Sequence, residues 1–287
     1  MIVATVAKRC ALLLAACVLI LAADKPASQK PIFWSRATIS ETDGNIVVCA
    51  NDPRPLDQAI IAIRQKYGWI VDYEDPPYGS NELVDDTDPD WRKTHPEANG
   101  VTRVAGGLFI TTFSSGDDMS SGSLDEKRAL DKVVADYEAS ANPGRFTLKT
   151  ENDNRFSIVG VGAKGDSGDE KAVAPVLDSR ISLPVQERTV SDSIQLILRV
   201  VSEKSEYKVL LGSAPLNLVL QTKTKIGGEN LPARQLLAQA ASATRFPLVW
   251  ALLYDADTHC YFMNLDVAME ATGDGSGTPH LKPIPKR

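Results

Sequence analysis

The chain has few of the residues that usually build a chemical site or a covalent framework. Its 287 residues include only four cysteines and three histidines, and aromatic residues make up 6% of the sequence. Cys10 and Cys17 lie within the first 23 residues, so removal of that segment leaves Cys49 and Cys260. Two cysteines exclude a framework of two disulfides. They could pair in an oxidising compartment, but their strand-like surroundings favour two half-buried thiols.

Positive charge and long apolar runs are also scarce. The chain has 31 Lys and Arg against 37 Asp and Glu, a formal net charge of −6. This balance disfavours nucleic acid and anionic membrane surfaces as partners, because both attract basic proteins. The apolar runs after residue 23 are too short to cross a bilayer. We therefore expect no membrane insertion once the N-terminal segment is removed.

The first 23 residues have the pattern of a secretion signal. Lys8 and Arg9 precede an uncharged apolar run over residues 11–23, which is how a signal peptide is organised. About thirteen apolar residues are too few to span a hydrocarbon layer of ~30 Å. We expect cleavage before Asp24 and a periplasmic or secreted protein.

A second interpretation of this segment is lipidation. Leu14-Ala15-Ala16-Cys17 resembles a lipoprotein processing box, in which the cysteine is lipidated and becomes the new N-terminus. Only residues 11–16 would then form the apolar core of the signal, which favours cleavage at residue 23. Anchoring at Cys17 remains the alternative.

A first series of elements follows a flexible leader, which we predict at 24–40. Apolar residues at helical spacing from Leu56 to Tyr67 predict a helix, with Pro55 in its first turn and Gly68 as its left-handed cap. The other predicted elements are strands at 46–50, 69–73 and 108–113, a long polar loop at 79–100, a helix capped by Ser123, and a hairpin over 146–150 and 156–161.

The same order returns after a linker predicted at 166–178. Thr189-Val190-Ser191-Asp192 has the form of a capping box and predicts a helix start. The polar tail at 269–287 is predicted to be disordered. The remaining elements are strands at 181–185, 207–211 and 216–223, a turn at Gly227-Gly228, a helix capped by Asn230, and a hairpin over 246–254 and 260–267.

The fold class predicted from this order is α+β. Strand, helix, strand, strand, helix, strand and strand occur twice, which predicts two tandem βαββαββ domains at 41–165 and 179–268, with helices packed on small mixed sheets. The repeated order indicates an internal duplication. A single larger α+β domain contains the same elements and stays open as the alternative.

This order and two short motifs resemble the secretin and TonB N-terminus short domain. The motif Leu-x-x-Ala-hydrophobic is present as Leu56-Asp57-Gln58-Ala59-Ile60, followed by Gly68-Trp69-Ile70-Val71. The motif Ala-x-x-Leu-Leu is present as Ala233-Arg234-Gln235-Leu236-Leu237. The resemblance covers most of 41–268. It implies protein–protein docking in the periplasm and supplies no catalytic residues.

Two departures limit what this resemblance implies. Residues 79–100 are longer than the usual connection of that family. The sequence also shows no secretin ring and no outer-membrane barrel, so the resemblance does not imply a channel or a receptor. The turn at 73–78 is similar to a segment of exported bacterial proteins of unknown function.

That turn is the predicted partner-binding site, because the sequence offers no catalytic group and this turn is part of the surface that remains, with the strand edges and the acidic loop. Glu74 and Asp75 are adjacent in a strand and should point to opposite faces, so they should not share a proton. A role in shaping the turn is expected for them. The predicted contact residues are Tyr73, Glu74, Asp75, Pro76, Pro77 and Tyr78.

The acidic stretch at 86–97 is the only candidate metal site. Asp86, Asp88, Asp90 and Glu97 match part of a calcium-loop spacing, but Trp91 stands where that loop needs glycine. We therefore expect a solvated acidic loop, no metal and no organic cofactor. Two of the four tryptophans, Trp69 and Trp250, are expected in the core.

The function predicted from the sequence is a non-enzymatic protein–protein interaction module in the cell envelope. The dispersed histidines, the two remaining cysteines and the absence of a nucleophile motif argue against an enzyme. The partner is expected to be an envelope protein, and an exposed strand edge would suit its docking. The alternatives are an envelope hydrolase that uses 79–100 as a lid, and a cell-wall glycan binder.

Overall fold

The computed structural model describes residues 37–98, 100–114, 125–152, 154–165, 167–272 and 280–284. These belong to one compact unit, Ser35–Arg287. The predicted signal peptide with Cys17, most of the leader and the predicted cap Ser123 lie outside the described residues. Within the described part, no helix is both long and apolar enough for a membrane span.

The first helix begins and ends as its sequence predicts. Pro55 occupies the first turn, and Gly68 ends the helix with φ of 70°, a conformation that costs glycine little. The third helix is capped by Asp125, whose side chain accepts a hydrogen bond from the Arg128 amide. The elements of this first segment are β1 Thr38–Thr42, β2 Asn45–Asn51, α1 Pro55–Tyr67, β3 Ile70–Glu74, β4 Leu83–Asp85, α2 Pro89–Thr94, β5 Thr102–Val104, β6 Leu108–Ser114, α3 Glu126–Glu138, β7 Arg145–Asn152 and β8 Arg155–Lys164.

The second segment repeats this series. The Thr189 side chain accepts a hydrogen bond from the Asp192 amide at 3.0 Å and caps α4, which confirms the predicted helix start. The elements are β9 Glu170–Ala172, β10 Arg180–Thr189, α4 Val190–Lys204, β11 Lys208–Ser213, α5 Leu216–Gln221, β12 Lys223–Pro232, α6 Ala233–Ala243, β13 Leu248–Asp255, β14 Cys260–Val267, β15 Met269–Thr272 and β16 His280–Pro283.

Three predictions in the second segment are wrong. Residues 216–221 form α5 rather than a strand, since a short apolar run does not distinguish the two; only Val219 of this helix is buried. Gly227 and Gly228 lie inside β12, which pairs irregularly with β10 at this point. Pro232, not Asn230, is the cap position of α6.

Four segments predicted to be irregular contain strands. The 79–100 loop contains α2 and β4, and β4 pairs with β5. The end of the leader forms β1, the linker contains β9, and the tail contains β15 and β16. These strands are short and polar and pair with neighbouring strands, so their sequences carry no periodic apolar signal.

Three strand pairings correspond in the two segments. In the first, β2 pairs antiparallel with β6, while β8 pairs parallel with β3 and antiparallel with β7. In the second, β10 pairs antiparallel with β12, while β14 pairs parallel with β11 and antiparallel with β13. The predicted α+β class, with helices on small mixed sheets, is confirmed.

A junction inside one sheet connects the segments. β13 pairs parallel with β3 through Ala251 opposite Tyr73 and Leu252 opposite Glu74. The result is a seven-stranded sheet in the order β11-β14-β13-β3-β8-β7, with β9 also paired to β8. This shared sheet was not predicted, and it makes the two segments one structural unit.

Two large apolar clusters form most of the core, one centred on each segment. The first contains the inner faces of α1 and α3, and the second those of α4 and α6. Trp69 and Trp250 are buried, as predicted. Of the helix residues predicted to face the core, Tyr67 is only half-buried. The others are buried: Leu56, Ala59, Ile60, Ile63, Leu130, Val133, Val134, Tyr137, Ile194, Ile197, Leu198, Val201, Ala233, Leu236, Leu237, Ala240 and Thr244.

Candidate functional site

The turn predicted to bind a partner lies inside the protein. Tyr73, Glu74, Asp75 and Tyr78 are buried, Pro76 is buried too, and Pro77 is half-buried. The prediction of a docking surface here is therefore wrong. The physical reason is the junction, because β3 lies between β13 and β8 in the middle of the sheet.

Asp75 organises this turn through five hydrogen bonds. Its Oδ1 accepts from the hydroxyls of Tyr73 at 2.8 Å and Tyr78 at 2.9 Å. Its Oδ2 accepts from Arg54 Nε at 2.7 Å and from the Tyr254 amide at 3.0 Å, while its own amide donates to the Leu252 carbonyl. Burial, and then the Asp75 charge, raise the pKa of both tyrosines. They remain neutral donors, so the cluster is a structural one.

Asp72 forms a second buried ion pair, on the face of β3 opposite to that of Asp75. Arg155 donates to it from Nε at 2.7 Å and from Nη2 at 2.8 Å, and the Trp250 amide donates at 3.1 Å. The guanidinium also lies 4.5 Å from the Trp250 ring centroid. Burial raises the pKa of Asp72 although Arg155 opposes the shift.

Glu74 forms a third pair, with Arg234 from α6. Arg234 Nη2 donates to Glu74 Oε2, and its Nε lies 3.5 Å from Glu151 and 3.3 Å from Asp178. The Leu177 amide donates to Glu74 at 3.3 Å. Glu74 and Asp75 thus bind different cations, as their opposite strand faces predict. With all three carboxylates buried and paired, this cluster holds the two segments together and offers no group to a substrate.

The acidic 86–97 stretch is used for local structure. Asp86 pairs with Arg103 at 2.8 Å, and Asp90 with Lys93 at 2.8 Å. Asp88 accepts hydrogen bonds from two amides at the start of α2. Within the described ranges, no three His, Cys, Asp or Glu residues are arranged to hold a metal ion.

The histidines and cysteines that the structure describes are dispersed. His95 stacks on Trp91 at 4.8 Å between ring centroids, and His259 Nδ1 lies 3.0 Å from the Tyr254 hydroxyl. The side chain of His280 lies outside the described residues. No disulfide joins Cys49 and Cys260.

An open groove lies instead at the far end of the seven-stranded sheet. It has a volume of about 1080 Å³ and is formed by the outer face of α4 and by β11. None of its lining residues comes from 79–100, so that segment is not a lid over it. Its lining includes Asp192, Leu196, Arg199, Lys208, Leu210 and Phe262.

β11 borders this groove and is an edge strand. Among the described strands it pairs only with β14. Leu210 on β11 is 44% exposed, and Leu216 and Leu220 on the neighbouring α5 are also exposed. From the sequence, strand edges were predicted as docking surfaces only in general, and β11 was not singled out. The detectable signal here was the run Val209-Leu210-Leu211 before Gly212, which is apolar on both faces of a strand with only one neighbour.

The other edge of the sheet is better protected. β7 carries Arg145, paired with Glu138 and Glu170, and Lys149, paired with Asp178. Charged side chains on an edge oppose the addition of another strand. β6 is an edge in a separate sheet, and its Ile110 is 40% exposed, but the α4–β11 groove does not extend to it.

Comparison with protein-family models, curated proteins and solved structures finds no match to this chain.

Proposed function

We propose that this chain is a non-enzymatic exported protein that acts as a protein–protein interaction module in the cell envelope. Its docking surface is the α4–β11 groove with the free edge of β11. The observation that carries this proposal is an edge strand with an apolar run, Val209-Leu210-Leu211, beside an open groove. Unpaired backbone groups on such an edge accept a strand from another chain.

The composition of the groove suits a polypeptide better than a reacting substrate. Apolar Leu196, Leu210 and Phe262 lie beside polar and charged groups. Its cations are Arg188, Arg199 and Lys208, and its acids are Asp192 and Glu203. The groove lining contains no histidine and no cysteine, and those residues are the usual nucleophiles and bases. A hydrolase or glycan binder has less support from this geometry.

Capture from an envelope extract tests the docking surface. The chain from residue 24 is immobilised, and captured proteins are identified by mass spectrometry. Leu210→Lys places a charge on the edge and should reduce recovery of the partner at least tenfold. Ile110→Lys is the matched control, because Ile110 is similarly exposed on the edge strand β6, and it should leave recovery unchanged.

The reverse result rejects the surface. Loss of the same partner in the Ile110 variant, with normal recovery in the Leu210 variant, would place docking at β6. Recovery of glycan alone would reject the interaction module. So would an enzymatic activity of the protein that is lost when a single polar residue is replaced.

Export is the second part of the proposal. The signal pattern at 1–23 supports cleavage before Asp24 and a periplasmic or secreted location. Mass spectrometry of the exported chain should give an N-terminus at or near Asp24. A diacylated Cys17 would instead show an anchored lipoprotein.

A further inference from the structure

The first segment contains its own version of the α4–β11 groove. α1 and β3 occupy the places that α4 and β11 occupy in the second segment, because β3 and β11 pair in parallel with β8 and β14. The molecule therefore shows both an occupied and an open example of one arrangement.

The α1–β3 version is occupied by the second half of the chain. β13 lies along β3 as a parallel strand, and β15 packs against α1. Ile70 of β3 packs against a cluster of Val249, Ala268 and Ile284. A strand thus continues the sheet while a following segment covers the helix. Along β11, no strand of the described chain takes the corresponding place.

The register shows how the two edges differ in chemistry. Val71 lies opposite Phe156, and Val209 lies opposite Tyr261; both aromatics are the second residue of their strands. Asp72 of β3 therefore corresponds to Leu210 of β11. The buried carboxylate that binds an arginine at the junction is replaced by an apolar side chain at the free edge.

A second copy of this chain fits the free edge poorly. Its β7 would be the counterpart of β13, since both strands pair antiparallel with the strand next to them in the sheet. Arg145, opposite Gly162, then takes the place of Leu248, opposite Val267. In the register of β13 on β3, that place lies beside Lys208. Like charges directly opposite on neighbouring strands are destabilising, so the occupant comes from a different protein.

Lys208, the first residue of β11, favours a negative charge on the segment that binds there. Lys208 is exposed, and among the described residues it has no carboxylate within ion-pair distance. In a parallel arrangement the first residue of β11 lies beside the start of the added strand. An acidic residue at that start would complement it.

We infer that the partner contributes an extended apolar segment, preceded by an acidic residue, that adds to β11 as a parallel strand in the way that β13 adds to β3. This inference rests on the proposed function and names the chemistry of the partner for the same site. The apolar side chains of the segment cover Leu210 and Phe262, and its backbone completes the hydrogen bonding of β11.

Synthetic peptides test the inference directly. The probe is the β13 sequence, Leu248–Asp255, preceded by two glutamates, and binding to the chain from residue 24 is followed by fluorescence polarisation. Leu210→Lys should weaken binding at least tenfold, with Ile110→Lys as control. Two lysines in place of the glutamates should weaken it about tenfold in low salt.

Methylation of peptide nitrogens distinguishes strand addition from side-chain insertion. Alternate residues of an edge-added strand point their amides toward the sheet. N-methylation of one alternating set should abolish binding, and N-methylation of the other set should leave it within about twofold.

Each other outcome overturns the inference. Equal effects of both methylated sets, with Leu210 dependence retained, would show a side-chain groove and leave the proposed function standing. If neither the glutamate peptide nor the lysine peptide binds, an apolar strand is rejected as the occupant. The envelope capture still tests the docking surface independently. Concentration-dependent self-association that Leu210→Lys removes, measured by sedimentation, would assign the edge to a second copy.

Discussion

Glu74 on β3 and Arg234 on α6 form a buried ion pair that joins the two segments of the chain. They are 160 residues apart in sequence, and both side chains are almost fully excluded from solvent. Glu74 also accepts the Leu177 amide of the connection between the segments. The pair therefore joins α6 of the second segment to β3 of the first, beside the strand junction.

Breaking this pair should destabilise the protein strongly. Arg234→Met leaves the Glu74 carboxylate buried without a cation and should lower the free energy of unfolding by about 3–5 kcal/mol. Urea denaturation measures the change. Lys127→Met is the control, since Lys127 forms an exposed pair with Asp131 at 2.6 Å, and such pairs contribute about 0–1 kcal/mol.

The double replacement Glu74→Leu with Arg234→Met sharpens this test. It removes both buried charges and should recover much of the lost stability, because the cost arises from the uncompensated charge. A single variant no less stable than the Lys127 control would contradict a structural role for the pair.

Asp57 should give the protein a pH-dependent stability of defined sign. Burial raises the pKa of this carboxyl from 3.8 to about 6, although Arg64 at 3.8 Å opposes the shift. Between these values the folded protein holds a proton that the unfolded chain has released. The stability contribution of Asp57 is therefore complete below pH 3.8 and is lost as the pH rises through 6.

Asp57→Asn removes that titration. Relative to that of the natural chain, the free energy of unfolding of the variant should rise by about 2 kcal/mol between pH 4 and pH 7, since one pKa unit corresponds to about 1.36 kcal/mol. Urea denaturation across this range measures the difference. Asp131→Asn, at an exposed position, should show no comparable trend, and a flat difference for Asp57→Asn would contradict the buried, proton-binding carboxyl.

Chelation should leave thermal stability unchanged. The acidic residues at 86–90 are occupied by Arg103, Lys93 and the α2 amides rather than arranged around an ion. Calorimetry with a chelator, and then with excess calcium, should give the same thermal midpoint. A calcium-dependent rise that Asp88→Ala abolishes would show a metal site in this segment.

Local signals in the sequence were sufficient for much of the fold. Pro55 and Gly68 mark the ends of α1, and Thr189 marks the start of α4, because caps act within one turn of the helix. The apolar faces of the four long helices also follow from spacing alone. Short strands such as β4, β5 and β15 could not be predicted, since each exists through pairing with a partner strand.

The burial of the Tyr73–Tyr78 turn could not be predicted from the residues around it. Tyrosines, prolines and acids at the end of a strand are typical of an exposed turn. They are covered here only because β13, 178 residues further along the chain, pairs with β3. The same junction makes β11 an outer edge. A site at β11 follows from the order of strands in the sheet, which no single segment of the sequence specifies.

Hydrogen exchange on β11 tests the account most directly. The amides of residues 208–213 are measured in the free chain and in its complex with the partner captured from the envelope. Strand addition predicts that alternate β11 amides, exposed on the free edge, exchange at least tenfold more slowly in the complex, while the β6 and β7 edges do not change. Unchanged exchange along β11, with protection at β6 or β7 instead, would contradict docking at this edge.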